Sequence, residues 1–323
     1  MQQKKRDSNM SFVLPFTQLS KDHVSVAGGK GAQLGEITKA GIPVPPGFVV
    51  LTASFDEMLE ENNLKSTIAE LLKHVDIKKT ETVNTASEEI RKIIGHAKIP
   101  HNVEKEVHTA FDALGAEYVA VRSSATAEDA SAASWAGELE TYLNIQRPDL
   151  MANVKKCWSS LFTPRAIFYR IEKGMAHTEI SVAVVVQKMV QSEVAGVAFT
   201  VHPVTQDHNQ MVIEAGWGLG ESVVGGLVTP DNYVVDKAEQ LLLDVTVNAQ
   251  DKMIAKDKNG KTHEIPVPET HREKQKLDGK TIMKMAELFS KIEAHYGKPQ
   301  DIEWAYEGGK VYVVQTRPIT TLK

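Results

Sequence analysis

Near the end of the chain, two carboxylates, an amide and a guanidinium recur at alternate positions and could together bind a metal–phosphate complex. They are Asp301, Glu303, Gln315 and Arg317. Oxygen ligands beside a fixed cation are what a polyphosphate carrying Mg²⁺ requires. On these residues alone, the solvated face of an amphipathic hairpin explains the pattern equally well.

The segment that carries these side chains has the pattern of a β-hairpin. Residues 301–304 and 311–318 alternate and are rich in β-branched and aromatic types. The turn signal Glu307-Gly308-Gly309-Lys310 separates them. Alternating runs on both sides of a glycine-rich turn predict two antiparallel strands.

The length of the turn decides whether the four polar side chains face the same way. A two-residue loop at Gly308-Gly309 would place Glu303 opposite Val314, because a one-residue slip moves every side chain to the other face. A loop of three residues, 308–310, pairs Glu303 with Gln315 and also pairs Asp301 with Arg317. We predict the longer loop. The side chains predicted on the opposite face are Ile302, Trp304, Tyr312 and Val314.

A second candidate for phosphate binding lies near the start of the chain. Glycines bracket Lys30 in the run Ala27-Gly28-Gly29-Lys30-Gly31, just before a helical pattern. Glycine lets backbone N–H groups approach a phosphate, and a helix N-terminus adds partial positive charge. The spacing is not that of a P-loop. An ordinary turn from a strand into a helix remains an alternative for this segment.

A third candidate lies at the end of a predicted strand. Residues 118–121 are apolar and β-prone, and they lead into Arg122-Ser123-Ser124. Residues 125–137 are nearly all small, with Glu128 and Asp129 among them, so we expect a mobile loop. Such a loop could close over phosphates or could be a plain connection.

Composition restricts the class of protein. The 323 residues are 42% hydrophobic and 24% charged, which is ordinary for a globular protein. The net charge of −5 gives no basic footprint for nucleic acid or anionic membrane. Cys157 is the single cysteine, which fits a reducing cytoplasm. Residues 1–11 contain no apolar core of a signal peptide, and we expect a disordered tail there.

The remaining chain alternates helical and extended patterns. Residues 52–111 have three- and four-residue hydrophobic spacing and predict several helices, and residues 281–296 predict another. The apolar run at residues 182–190 predicts a buried strand, with residues 194–200 as its hairpin partner. Further strands are predicted at 141–145, 211–215, 233–235 and 241–243. This interleaving predicts an α+β architecture.

Eight segments in one order resemble the amino-terminal nucleotide-binding domain of the phosphoenolpyruvate synthase (pyruvate, water dikinase) family. Pyruvate phosphate dikinase and rifampicin phosphotransferase share this domain. The resemblance extends from about residue 12 to residue 320. The segments are GGKGAQLGE, IPVPPGF, VRSSATAEDA, SWAGELETYLN, VVVQKMV, AGVAFTVHPVT, EAGWGLGE and DIEW…VVQTRPI.

The resemblance implies an ATP-grasp fold, in which two lobes enclose the nucleotide, with an additional helical subdomain. On this basis we expect an N-terminal lobe with the helical insert at residues 12–115. A central lobe with the covering loop and the adenine-reading segment would occupy residues 116–230. A C-terminal lobe with the metal-binding hairpin would occupy residues 231–323. Some residues of the covering loop differ from the usual family pattern, Trp135 and Glu138 among them.

The resemblance also implies roles for individual residues. Lys30, Arg122 and Arg317 would contact the ATP phosphates and act in catalysis. Glu303 and Gln315 would bind Mg²⁺ and phosphate, with Asp301 in a supporting or second metal role. The residues expected to line the nucleotide or its covering loop, or to read the adenine, are Gly137, Thr141, Gln187, Met189 and Val190.

The family implies ATP and Mg²⁺ as ligands and a phosphohistidine domain as partner. That domain carries its histidine in a Thr-Cys-His context, which this chain lacks, and His202 in Val-His-Pro-Val is predicted to be a loop histidine. We expect a separate protein or further C-terminal domains to supply it, with pyruvate as the final acceptor. The alternatives are a rifampicin- or phenol-type phosphotransferase subunit and a non-catalytic nucleotide-binding regulator. A carboxylate–amine ligase is less consistent with the segments.

Overall fold

The computed structural model describes residues 11–126, 140–174, 181–258, 260–319 and 322, and these residues form helices and antiparallel strands. The helices are α1 (Val24–Lys39), α2 (Thr52–Glu61), α3 (Leu64–Lys73), α4 (Thr80–His96), α5 (His101–Leu114), α6 (Leu150–Ser159), α7 (Pro164–Glu172), α8 (Glu221–Val224) and α9 (Gly279–Tyr296). The strands are β1 (Val13–Pro15), β2 (Gly47–Val50), β3 (Val119–Ala125), β4 (Thr141–Ile145), β5 (Val182–Lys188), β6 (Val194–Phe199), β7 (Gln210–Trp217), β8 (Asp231–Asp236), β9 (Leu241–Thr246), β10 (Lys252–Lys256), β11 (Thr262–Pro266), β12 (Gln300–Glu307) and β13 (Lys310–Pro318). This mixture confirms the α+β class. None of the helices in these ranges combines the length and the apolar character needed to cross a membrane.

The chain divides into two compact units, each built from two separate stretches of sequence. The first unit comprises Met1–Ala32 and Pro46–Lys188, and the second comprises Gln33–Pro45 and Met189–Lys323. The predicted lobe boundaries at residues 115 and 230 describe a different kind of division, around a nucleotide, and they stay a prediction. The predicted tail at residues 1–11 lies, apart from Ser11, outside the described residues.

The first unit is a five-stranded sheet with helices α2–α7 packed on one of its faces. The strand order is β1-β2-β5-β3-β4, and each neighbouring pair is antiparallel. The alternate residues Val182, Val184 and Val186 of β5 and Val119 and Val121 of β3 belong to a core that the helices complete. Within that core Phe55 of α2 stacks on Trp158 of α6 at 5.6 Å between ring centroids. The first part of α1 packs on the opposite face, where a Cβ atom on Gly31 would lie 2.9 Å from Val49 Cγ2 and where Val49 and Val185 are fully buried.

The second unit is a six-stranded antiparallel sheet with the order β13-β12-β6-β7-β8-β9, and β10 and β11 pair separately. Helix α9 packs against β8, β9 and β12. A fully buried ion pair joins β8 to the chain entering α9, because Lys276 Nζ lies 2.7 Å from Asp231 Oδ1. Tyr233 Oη and the Lys276 backbone N–H both donate to the other oxygen of Asp231, at 2.8 and 2.9 Å. Removing one member of such a pair typically costs about 3–5 kcal/mol, because a buried charge is left uncompensated.

The helical predictions for residues 52–111 and 281–296 are confirmed, but three local predictions are wrong. No strand leads into the glycine run around Lys30, since residues 24–27 are already helical and Gly28 only breaks α1, with φ 67° and ψ 173°. Strand β3 does not end at Arg122 but continues to Ala125. Strands β5 and β6 are not hairpin partners, because β6 pairs with β12 and β7 in the other sheet.

The terminal hairpin has the predicted pairs and a different turn. Glu307 pairs with Lys310, so the loop is the two-residue Gly308-Gly309, and both glycines have positive φ as a type I′ turn requires. The predicted three-residue loop is wrong. The register is nevertheless the predicted one, because Trp304 pairs with Val313 while Glu303 pairs with Gln315. The extra residue is a β-bulge at Val314, a feature that the alternation does not reveal.

Candidate functional site

Lys30 is carried by a strained turn that a serine of β3 holds in place. Ser124 Oγ donates to the Ala27 carbonyl oxygen at 2.9 Å and accepts the Gly31 backbone N–H at 3.1 Å. A Cβ atom on Gly28 would lie 2.2 Å from the Ser124 carbonyl oxygen. Glycine is therefore required at position 28 both for its positive φ and for its close approach to β3.

The face of the first sheet opposite helices α2–α7 carries three of the predicted site residues. Arg122 on β3 lies directly opposite Thr141 on β4, and Ala120 lies opposite Gln187 on β5. Opposed residues of antiparallel strands share a face, and so do residues two apart on one strand. Arg122, Thr141, Gln187 and the Ser124 that holds the Lys30 turn consequently share this face. Arg122 and Gln187 are buried, whereas Thr141 is exposed.

In the second unit, the four polar residues of the hairpin share a face as predicted. Glu303 pairs with Gln315, and Asp301 pairs with Arg317. The guanidinium of Arg317 donates from Nε and Nη2 to Asp301 Oδ2, each at 2.7 Å. Burial raises the pKa of Asp301 and the nearby Glu303 raises it further, while Arg317 acts in the opposite direction. Asp301 thus holds Arg317 through two contacts, and its supporting or second metal role stays a prediction.

Glu214 on β7 is a further carboxylate on this face that the sequence reasoning missed. Val197 on β6 lies opposite both Glu303 and Glu214, so the three residues form a row across adjacent strands. Burial raises the pKa of Glu214, and the charge of Asp301 contributes to the increase. In the sequence, Glu214 is noticeable as a charged residue directly after the apolar run Met211-Val212-Ile213. That run does not show which residues lie beside Glu214 on the neighbouring strands.

Beside the polar pairs, the same face of the second sheet is apolar. Ala305 lies two residues beyond Glu303 and opposite Tyr312, so Tyr312 is on the polar-pair face and its predicted position on the other face is wrong. Val190 and Ala195 pack with Ala305 in a small buried cluster. Tyr312 and Val314 are partly buried against that cluster. Of the predicted adenine-reading residues, Val190 therefore lies among these side chains, and Met189 precedes it, half-buried.

The covering loop and His202 are the remaining predicted features. Gly137 and most of the predicted covering loop, residues 127–139, lie outside the described residues. His202 is in the connection between β6 and β7, where its Nδ1 accepts the backbone N–H groups of Val204 and Thr205, each at 3.2 Å. The prediction of a loop histidine is confirmed, and its ring caps a local turn.

The residues present fit a magnesium–phosphate complex better than a free metal ion. In the described part of the chain, no group of three or more His, Cys, Asp or Glu side chains is arranged to hold a metal. Mg²⁺ in phosphate-binding sites characteristically takes one or two protein carboxylates and completes its shell with phosphate oxygens and water. Glu303 with the amide oxygen of Gln315 is a donor set of that kind.

Comparison with known families shows which family the chain belongs to. Residues 24–323 match the family model described as pyruvate phosphate dikinase, AMP/ATP-binding domain. The chain belongs to this family. The match covers the glycine run with Lys30, every strand except β1, and the terminal hairpin, and it therefore includes every residue proposed for the site.

Within the family, the most similar relatives compared are probable phosphoenolpyruvate synthases of archaea. The protein of Methanocaldococcus jannaschii is 46% identical over 328 residues, covering 99% of this chain and 28% of the relative. That of Methanothermobacter thermautotrophicus is 46% identical over 323 residues, covering 98% of this chain and 47% of the relative. The rifampicin phosphotransferase of Bacillus cereus is 39% identical over 315 residues, covering 97% of this chain and 36% of the relative. The chain thus spans less than half the length of each of these proteins.

Proposed function

We propose that the chain binds MgATP and supplies a phosphoryl or pyrophosphoryl group to a histidine, as the nucleotide-binding part of a phosphoenolpyruvate synthase-type phosphotransferase. The proposal rests on one face of the sheet in the second unit. Along β12 this face presents the pairs Asp301–Arg317 and Glu303–Gln315, and next to them an apolar cluster. A nucleoside polyphosphate has the same succession of charged and apolar parts. Membership of an AMP/ATP-binding domain family supports the proposal independently.

In the second unit, the proposed roles follow from the order of side chains. Glu303 and Gln315 would hold Mg²⁺, which when bound neutralises phosphate oxygens. Arg317, oriented by Asp301, would contact the phosphate tail. The apolar surface at Ala305 and Val190 would take the adenine ring, whose edge would be read by the backbone of Met189 and Val190.

In the first unit, two cations are proposed to neutralise phosphate charge. Lys30 is held by the Ser124-bound turn, and Arg122 is fixed in the middle of β3. Phosphoryl transfer depends mainly on positioning and on charge neutralisation, so fixed cations at the phosphates have a direct effect on rate. Thr141 and Gln187 share the face of Arg122 and would bind the nucleotide beside it.

The ATP-grasp fold is part of the proposal. Two α+β units, each with an antiparallel sheet, support it. Gly137 and the covering loop keep their predicted role within that fold, and the predicted location in the cytoplasm stays a prediction.

The proposed reaction transfers phosphate from ATP to a histidine on a separate protein or on a further domain, and then to an acceptor. Pyruvate is the proposed acceptor, since the archaeal relatives at 46% identity are probable phosphoenolpyruvate synthases. A rifampicin- or phenol-type acceptor is the second candidate, favoured by the relative from Bacillus cereus at 39% identity. A non-catalytic nucleotide-binding regulator is less consistent with a chain that retains Lys30, Arg122 and Glu303.

Calorimetric titration of MgATP into the purified chain tests the proposal. We expect saturable binding that Glu303→Ala weakens at least tenfold, which corresponds to about 1.4 kcal/mol. Glu287→Ala is the matched control, because Glu287 is an exposed carboxylate on α9 whose partner is Lys291. Wild-type protein that binds no MgATP would contradict the proposed function, and equal binding by wild type and Glu303→Ala would contradict the proposed metal site.

A further inference from the structure

An ion pair on the helical side of the first sheet fixes the residue that precedes Thr141. Arg91 on α4 donates from Nη2 to both carboxylate oxygens of Glu140, at 2.8 and 3.1 Å. Tyr142 Oη donates to Glu140 Oε2 at 2.5 Å. The side chains of Arg91 and Glu140 are 30% and 29% exposed, so the pair is partly shielded from water.

The main chain of Glu140 is fixed as firmly as its side chain. Its carbonyl oxygen accepts the backbone N–H of Ser123 at 3.1 Å and the Ser123 hydroxyl at 2.8 Å. Ser123 Oγ also lies 3.0 Å from Ser160 Oγ, which connects this point to the helical layer. Glu140 is thereby bound to the strand residue next to Arg122.

These contacts surround one end of β4, where Thr141 faces Arg122. Tyr142 lies opposite Val121, a residue of the helix-facing core, so Thr141 projects to the other face, beside Arg122 and Gln187. The Arg91–Glu140–Tyr142 contacts are thus behind the proposed nucleotide face and not on it. They determine where the start of β4, and with it the Thr141 side chain, lies relative to Arg122.

We propose that Arg91 is a positioning residue for nucleotide binding, which acts through Glu140 to hold Thr141 beside Arg122. The inference rests on the proposed function and extends it to the helical layer. Without Arg91, the Glu140 carboxylate would be half-buried without its guanidinium and would move toward water. The carboxylate also joins Glu140 to Tyr142. These two residues flank Thr141, so movement of the carboxylate would alter the orientation of Thr141 relative to Arg122, although the Glu140 carbonyl oxygen stays bound to Ser123.

The same unit contains a matched ion pair just beyond the end of this strand that lies away from Thr141. Arg147 donates from Nε and Nη2 to the two carboxylate oxygens of Asp112, at 2.6 and 2.9 Å. It is the same two-contact type of pair, but its side chains are about half exposed. Arg147→Ala therefore measures the effect of losing an ion pair at the other end of β4, away from the contacts around Thr141.

The test is a double-mutant cycle with MgATP as the titrant, measured by calorimetry, with the melting temperature of each variant recorded. The variants are Arg91→Ala, Thr141→Ala, the two combined, Arg91→Lys and Arg147→Ala. We expect Arg91→Ala and Thr141→Ala each to weaken MgATP binding about tenfold. We expect the combined variant to bind no worse than Thr141→Ala, because Arg91 acts through Thr141. Arg91→Lys should recover part of the loss, and Arg147→Ala should bind as wild type does.

Each outcome supports or overturns the inference. Additive losses in the combined variant, or wild-type affinity in Arg91→Ala, would overturn it while the proposed function stands. A loss of affinity that follows the melting temperature and that Arg91→Lys does not reduce would mean that Arg91 only stabilises the fold, which also overturns the inference. If Arg91→Ala does not fold, Arg91→Lys replaces it in the cycle. Its partial loss of MgATP affinity is then compared with and without Thr141→Ala. Absence of MgATP binding by the wild type would overturn the proposed function and this inference together.

Discussion

At the scale of single residues, the proposed site depends on side chains whose positions are set by their neighbours. Ser124 holds the turn that carries Lys30, and Asp301 holds Arg317. Phosphate-binding cations need such fixation, because a cation that must reorganise during the reaction neutralises less charge at the moment of transfer. The supporting residues are consequently as informative to mutate as the cations themselves.

Gly28 is the residue where a single methyl group should have the largest local effect. Gly28→Ala places a Cβ atom 2.2 Å from the Ser124 carbonyl oxygen at a backbone conformation that is nearly exclusive to glycine. The conformation alone costs on the order of 1–3 kcal/mol. We expect a lower free energy of unfolding in urea and at least tenfold weaker MgATP binding, because the Lys30 turn must shift.

Gly95→Ala is the control for this substitution. Gly95 lies in α4, and a Cβ atom there would meet nothing within 4 Å. Alanine in a helix is favoured over glycine by about 1 kcal/mol, so stability should be unchanged or higher. Equal behaviour of the Gly28 and Gly95 variants would contradict the account of the Lys30 turn.

Removing the charge of Glu214 is expected to stabilise the protein. Burial raises the pKa of Glu214 in the folded protein above its ordinary value of 4.5, so the folded state binds a proton more tightly than the unfolded state. Stability attributable to this group therefore decreases as the pH rises from the ordinary value through the raised pKa. We expect Glu214→Gln to have a higher melting temperature than wild type at pH 7, with the difference shrinking as the pH is lowered through that interval.

Glu287→Gln should show the opposite sign in the same calorimetric scans. Its hydrogen bond and ion pair with Lys291 lower the pKa of Glu287, so its charged form favours folding above pH 4.5. A melting temperature for Glu214→Gln at or below that of wild type at pH 7 would mean that the Glu214 carboxylate is not penalised by burial.

At the scale of elements, the residue pairs of the terminal hairpin were predicted correctly and its turn was predicted wrongly. Placing Glu303 and Gln315 on one face gave the correct pairing, but alternation alone left the register open, and the three-residue loop chosen to reach this register is not the one in the structure. Alternation could not distinguish a longer loop from a bulge, since each adds one residue between Glu303 and Gln315. The partner of β5 was predicted wrongly for a related reason: the membership of a strand in one sheet or another depends on contacts distant in sequence.

The bulge gives the hairpin a testable property. Deleting Val314 should leave a regular two-residue hairpin in which Glu303 still faces Gln315 and Asp301 still faces Arg317. We expect this variant to fold and to bind MgATP within about threefold of wild type, with some loss of stability from the contact of Val314 with the Val190 cluster. Calorimetry and thermal melting measure the two effects.

Deleting Thr316 is the contrasting change. It leaves Glu303 opposite Gln315 but places Arg317 opposite Ile302, so the guanidinium turns to the other face. MgATP binding should then fall at least tenfold in protein that still melts cooperatively. Similar affinities for the two deletions would contradict the assignment of the phosphate-binding face.

At the scale of the whole molecule, the chain contains the residues proposed to bind ATP but no histidine in the Thr-Cys-His context that the resemblance implies for a phosphohistidine. Two units, each interrupted in sequence, carry these residues, and the aligned part is 28% and 47% of the length of the two archaeal relatives. Resemblance of ordered segments was sufficient to predict the family, because these segments coincide with the parts of β3, β12 and β13 that carry the polar residues. The two units themselves could not be predicted, since the chain passes between them inside α1 at residues 32–33 and at the end of β5 at residues 188–189. Only the crossing at residues 45–46 lies in a proline-rich stretch.

If the chain supplies ATP chemistry to a histidine located elsewhere, that supply should be demonstrable in trans. The full-length relative from Methanothermobacter thermautotrophicus, with the carboxylate aligned to Glu303 replaced by alanine, would retain any histidine and acceptor site while losing its own metal ligand. Adding the wild-type chain should then restore pyruvate-dependent conversion of ATP to AMP, measured by chromatography of the nucleotides, because ATP bound by the chain could reach the relative's histidine. Adding the chain with Glu303→Ala should restore nothing. Restoration by both forms would mean that the relative's own site remained active, and restoration by neither, in protein that binds MgATP, would favour the regulator over the enzyme.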